Sequence, residues 1–157
     1  MQNRFAEDTA MSSYTHVLLA TDFNEETIEV VQRARSIADQ NKSTLSVIHV
    51  IEPISIAYAG EFPVDLGDIH RELEKQANLR LNQLAKELSI PEAQCFLEIG
   101  LTEKEILRVA DEESIDLIVV GSHNKHGLSL LLGSTANAIL HHAPCDVLAI
   151  RVPKISK

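Results

Sequence analysis

The sequence predicts an α/β fold: a single-domain sandwich in which a parallel sheet lies between helices on both faces. Three observations carry this. Short β-branched, apolar runs alternate with amphipathic helical stretches along the chain, which is the order of βαβ units. Most of these runs are apolar throughout rather than every second residue, as in strands covered on both faces. At 157 residues the chain has the length of one domain and buries enough surface to need no staple.

The elements follow in order. His16–Thr21 (HVLLAT) is the first strand. Asp22–Asn24 supplies turn and cap residues. A helix follows over Glu25–Gln40, with Ile28, Val31, Ile37 and Ala38 on its apolar face. Thr44–Ile51 (TLSVIHVI) is the second strand. Glu52–Leu66, with two prolines and a glycine, is a long loop. Gly67–Leu88 is a helix, because Ile69, Leu73, Ala77, Leu81, Leu84 and Leu88 recur at three- and four-residue steps. Gln94–Ile99 is the third strand. Thr102 is placed to cap the next helix, with Glu105 closing a capping box, and that helix runs to Glu113. Asp116–Val120 is the fourth strand and Gly121–Thr135 the loop after it. Ala136–His142 is a short helix stopped by Pro144, and Asp146–Val152 is the last strand.

Charge and composition exclude several function classes. With 23 acidic against 14 basic residues and a net charge of −9, the surface repels phosphate backbones, so nucleic acid is not an expected partner. No apolar run reaches the ~18 residues of a membrane span. Met1–Ser12 is polar and lacks the apolar stretch of a signal peptide. A cytoplasmic protein with no membrane partner is expected. Residues 1–13 read as a disordered lead-in and 14–157 as the domain, and Met11 is an alternative start. Cys95 and Cys145 have no zinc spacing and read as reduced core thiols.

In parallel sheets ligands sit beyond the carboxyl ends of the strands, where the strand order reverses. Two segments suit that place: Ala20-Thr21-Asp22 and Gly121–Thr135 (GSHNKHGLSLLLGST). Glycine lets a backbone approach a ligand closely. A helix start offers unpaired N–H groups and a positive dipole end, which suits phosphate. Ser134 and Thr135 add hydroxyls, and Lys125 is the loop's only cation fixed at neutral pH. A plain βα loop before a capped helix accounts for the same pattern. The segment is neither GxxxxGK[ST] nor GxGxxG, so a P-loop or a dinucleotide fingerprint is not expected.

The stretch LIVVGSHNKHGLSLLLGSTANAILHHAPCDVLAIRV (Leu117–Val152) resembles the C-terminal half of universal stress proteins. That half has an apolar strand, a Gly-x-x-Gly loop, a spacer, Gly-Ser/Thr, a short helix and a final strand. His16–Ala34, Ile48–Pro53 and Gly100–Ser122 are similar to further parts of the family pattern, so the likeness covers Tyr14 to Val152. It implies five parallel strands in the order 3-2-1-4-5, the adenine nucleotide alpha hydrolase-like arrangement, and makes 14–157 a universal stress protein domain. It also implies an adenine nucleotide, ATP or AMP, with Mg²⁺ as companion ion, in the branch of the family that binds one. Asp22 would meet the adenosine part beside Ala20, and the Val50 backbone would meet adenine. Val120, Gly121, Asn124, Lys125, Gly133, Ser134 and Thr135 would surround ribose and phosphates. Asn124 departs from the family's second glycine, and the eight residues between it and Gly133 are one fewer than the commonest spacer. Asn is the side chain that best tolerates the left-handed turn.

Other readings compete. His123, His126, His141 and His142 suggest a metal, but no acidic residue or Cys joins them at ligand spacing. SHNKHG faintly resembles the HxGH of nucleotidylyl transferases, which follows strand one rather than strand four. Asp22 also suits a helix cap. No general base or nucleophile stands near it in pattern, so no catalytic residue is assigned and at most slow ATP hydrolysis is expected. Two function classes remain: a nucleotide-binding regulatory module of the stress response, and a nucleotide-free dimeric interaction module. The apolar last strand, Asp146–Val152, would lie at the sheet edge and favours a homodimer.

Overall fold

The computed structural model describes residues 13–24, 27–53, 66–122 and 133–152. Residues 1–12, 25–26, 54–65, 123–132 and 153–157 lie outside the described residues. Five strands, β1 (His16–Ala20), β2 (Thr44–Ile51), β3 (Cys95–Ile99), β4 (Leu117–Ser122) and β5 (Asp146–Arg151), form one parallel sheet in the order β3-β2-β1-β4-β5. Helices α1 (Ile28–Asn41), α2 (Leu66–Glu87), α3 (Thr102–Glu112) and α4 (Ser134–His142) connect and cover them.

The apolar runs divide by pleat. Val17, Leu19, Val47 and Val119 pack against Val30, Ala34 and Ala38 of α1 and Leu81 and Ala85 of α2. Leu18, Ile48, Ile118 and Val120 face the other way, onto Ile106, Val109 and Ala110 of α3 and Ala136 and Ile139 of α4. So α1 and α2 cover one face and α3 and α4 the other. Right-handed crossovers require this, because the chain moves outward from β1 through β2 to β3 and then returns to the other side of β1. Alanines at the contacts let the helices lie close to the sheet.

Three helices end alike. Lys42, Ser89 and Ser114 adopt left-handed φ of 55°, 54° and 52°. The next N–H then reaches back: Ser43 to the Ala38 carbonyl (2.9 Å), Ile90 to Ala85 (2.8 Å) and Ile115 to Ala110 (2.9 Å). This is the Schellman closure, made here without glycine.

Several expectations change. Ile28 is 60% exposed, whereas Ala38 is buried together with Val30 and Ala34, and Val31 and Ile37 pack partly buried against the same core. In the first turns of α2, Ile69 and Leu73 are 37% and 40% exposed. Thr102 is not an N-cap: Leu101 occupies that position without a side-chain cap bond. Thr102 begins α3 and donates its hydroxyl to Glu52 Oε1 at 2.6 Å, so the carboxylate at the end of β2 serves the helix start instead. Glu105 pairs with Arg108 rather than closing a box. Its side chain lies over Gly100, where a Cβ would come within 2.9 Å of Glu105 Cγ. Cys95 and Cys145 are free and half-buried rather than in the core, and burial pushes both thiols up. Among the described residues no helix is long and apolar enough to cross a membrane.

Candidate functional site

β1 and β4 are paired only as far as Leu19↔Val119. β1 stays with β2, through Ala20↔Ile48 and the Thr21 N–H to the Ile48 carbonyl at 3.0 Å. β4 stays with β5, through Gly121↔Ile150 and Ser122↔Arg151. The sheet therefore splits beyond Leu19 and Val119. A cavity of about 230 Å³ opens there, between the carboxyl ends of β1, β2 and β4 and the starts of α3 and α4.

Of the ten site residues expected from the sequence, Ala20, Asp22, Val50, Val120, Gly121 and Thr135 line this cavity. Gly133 and Ser134 stand beside it, as the N-cap and first residue of α4. Asn124 and Lys125 lie outside the described residues. Gly121 and Ser122 are not loop, since pairing with β5 carries β4 two residues further than expected. Gly133 caps α4 without a side-chain bond, so the cap supplies no side-chain acceptor to the first-turn N–H groups of the helix whose Thr135 and Ala136 line the cavity.

Asp22 is not the cap of α1. Its Oδ1 accepts the Asn24 N–H at 3.1 Å and its Oδ2 accepts Asn24 Nδ2–H at 2.7 Å, an Asx-type turn. α1 begins later, with Thr27 at its N-cap making no side-chain bond to the helix. The Thr27 hydroxyl and N–H both turn back to the Asn24 carbonyl. The segment after β1 is thus a closed polar turn that presents Asp22 at the rim.

Thr21, Thr27, Ile48, His49, Thr102, Ile106, Ala136 and Ile139 complete the lining. Thr21 fell within the expected segment Ala20-Thr21-Asp22; the others were not singled out from the sequence as site residues. His49 had a signal, being the one ionisable side chain in the apolar run of β2. Burial pushes its pKa down, with Arg80 adding to this, while the bond to the Thr21 carbonyl and the Asp22 charge work against it. The ring is held neutral at pH 7. Thr102 and Ile106 gave no signal, since only the packing of α3 brings them to the cavity.

The model of the universal stress protein family matches residues 13–151. This chain belongs to the universal stress protein family. It is 41% identical over 138 residues to universal stress protein A homolog 1 of Coxiella burnetii, covering 87% of this chain and 96% of that protein. Among solved structures it is similar to the protein MJ0577, with a TM-score of 0.73 and 25% identity over 92% of this chain and 99% of that one. It is also similar to a universal stress protein solved in complex with cAMP, with a TM-score of 0.59 and 25% identity over 90% of this chain and all of that one. The adenine nucleotide alpha hydrolase-like fold of the family is the one described above.

Proposed function

We propose that this universal stress protein is a cytoplasmic regulatory module that binds an adenine nucleotide in the crevice between β1 and β4. One observation carries the reading: segments distant in sequence, at Ala20–Asp22, Val50, Val120–Gly121 and Thr135, line one cavity. The likeness to a family member in complex with cAMP supports it. The cavity is smaller than the ~300–1,000 Å³ of sites that enclose a whole drug-sized ligand. It suits the base and ribose, with Asp22 accepting from sugar or base donors. The phosphates then lie outward, toward the N–H groups at the start of α4 and the hydroxyls of Ser134 and Thr135. The family resemblance assigns Asn124, Lys125 and a companion Mg²⁺ to the phosphates. No catalytic residue is assigned.

Calorimetry with AMP, ADP, ATP and cAMP, each with and without Mg²⁺, tests the reading. Asp22→Ala is expected to weaken the preferred nucleotide at least about tenfold, ~1.4 kcal/mol, with the melting temperature little changed. Native protein that takes up none of the four at millimolar concentration points instead to the nucleotide-free interaction module.

The module acts as a homodimer through β5. This strand is the last in the sheet order, and its other side pairs with β4. Its middle residues Val147, Leu148, Ala149 and Ile150 are only half-buried. An apolar edge of this kind is an aggregation hazard unless paired, and a second copy of the same strand is self-complementary about a two-fold axis. Light scattering is expected to show a dimer for the native chain and a monomer for Val147→Lys with Ala149→Lys. Circular dichroism must confirm that the variant is folded, because both side chains also pack against the α3–α4 face. A folded variant that remains dimeric rules out this interface.

A further inference from the structure

Among the described residues four non-glycine residues have left-handed backbone: Phe23, Lys42, Ser89 and Ser114. The last three close helices, as described. Phe23, at φ 59°, closes none; it lies one residue after Asp22, at the rim of the cavity. A left-handed aromatic residue costs of order 1 kcal/mol or more and persists only where its surroundings hold it.

His49 supplies that hold. Its ring packs on the Phe23 ring, centroids 4.3 Å apart and planes tilted by 36°. Its Nδ1 lies 2.8 Å from the Thr21 carbonyl oxygen. A carbonyl only accepts, so Nδ1 carries the proton and donates. Ladder pairing of β1 with β2 stops at Ala20↔Ile48, and the His49 side chain takes the next carbonyl along. Beyond that point the turn is closed by Thr21 Oγ1 accepting the Phe23 N–H at 3.1 Å and by Asp22 accepting from Asn24. His49 thus reaches from β2 both the start of the turn, at the Thr21 carbonyl, and the ring of the strained residue.

We propose that His49 is a positioning residue of the nucleotide site: its Nδ1–H on the Thr21 carbonyl and its ring on Phe23 hold the Thr21–Asn24 turn in the conformation that presents Asp22 to the ligand. Its consequence for affinity rests on the nucleotide reading above; its consequence for the turn does not. Burial keeps the imidazole neutral, with Nδ1 as its single donor.

The test uses the full chain with His49→Asn, whose amide can place a donor near the position of Nδ1, and His49→Phe, which keeps a ring and loses the donor. Amide hydrogen exchange by NMR reads the turn. In His49→Phe the Phe23 and Asn24 amides are expected to exchange at least about tenfold faster, while Leu18 in β1 and Ala34 in α1 keep their protection. In His49→Asn, which keeps a donor and loses the ring, the exchange is expected to lie between native and His49→Phe. Nucleotide affinity measured by calorimetry is expected to follow the same order, at least about tenfold weaker in His49→Phe and intermediate in His49→Asn. If the turn loosens as expected but the native chain binds no nucleotide, the nucleotide reading fails and the positioning of the turn stands. Unchanged exchange at Phe23 and Asn24 in His49→Phe overturns the proposal. So does affinity equal to native in His49→Phe when the native chain binds.

Discussion

Leu18→Ala is expected to destabilise this protein by about 3 kcal/mol, within the ~2–5 kcal/mol range for truncating a buried leucine. Leu18 is 0% exposed at the centre of β1, the middle strand of the sheet, and packs with Ile48 and Ile118 under α3 and α4. Neighbouring strands on both sides prevent the site from collapsing onto the missing atoms, so the cavity term adds to the lost burial. Against a total stability of ~5–15 kcal/mol this is a large fraction. With a urea slope of ~2 kcal/mol/M, the unfolding midpoint should fall by roughly 1.5 M. Leu79→Ala is the control: Leu79 is 58% exposed on α2, and its loss should change stability by no more than ~0.5 kcal/mol. Similar effects from the two substitutions would falsify the two-face packing of the sheet.

Asp116→Ala is expected to cost about 2 kcal/mol, from the loss of charge-assisted hydrogen bonds. Asp116 precedes β4, at the end of the sheet opposite the cavity. Its Oδ2 accepts from Thr15 N–H at 2.7 Å and from the Thr15 hydroxyl at 2.6 Å, and its Oδ1 accepts from His16 N–H at 3.0 Å. Its own N–H donates to the His16 carbonyl at 3.1 Å. One side chain thus pins the entry of β1 to the entry of β4. Burial pushes its carboxyl up, but the bonds from the Thr15 hydroxyl, the Thr15 N–H and the His16 N–H together hold it below the usual carboxylate range. The folded state therefore binds its proton less readily than the unfolded chain. The stabilisation is full above the ordinary aspartate value of ~3.9 and is lost as pH falls through it toward the lower folded value. Urea unfolding of the native chain and of Asp116→Asn from pH 7 down to pH 3 should show a constant stability gap above about pH 5 that narrows below about pH 4. Nucleotide affinity should not change, because this end of the sheet is remote from the cavity.

How much of this was legible in the sequence depends on the range of the forces involved. The five strands and four helices follow from hydrophobic period and turn residues, which are local. The continuous apolar runs at Val17–Leu19 and Leu117–Val120 mark strands covered on both faces, because in a parallel sheet helices lie over each side. The place of Asp22 and Thr135 follows from the rule that ligands sit beyond the carboxyl ends of parallel strands; the order of the strands and the role of Val50 came from resemblance to a family whose motifs this chain largely keeps. Gly121 was found as a site residue but misplaced as loop, since only its pairing with Ile150 makes it strand.

What only the tertiary structure decided is where polar side chains spend their hydrogen bonds and which periodic residues are covered. The sequence marked Thr102 as a cap by spacing alone, yet Glu52, 50 positions away, takes its hydroxyl. It marked Asp22 as a cap, yet the carboxylate closes its own turn on Asn24. Ile69 and Leu73 keep the helical period of α2 but remain exposed, whereas Ala77, Leu81 and Ala85 further along are buried. His49 stood visibly out of place in β2, but its meeting with Thr21 and Phe23 depends on the register of two strands 28 residues apart. Periodicity reports which face of an element is apolar. It holds no information about the distance between elements, and that distance determines the bond of Thr102 to Glu52 and the contacts of His49 with Thr21 and Phe23.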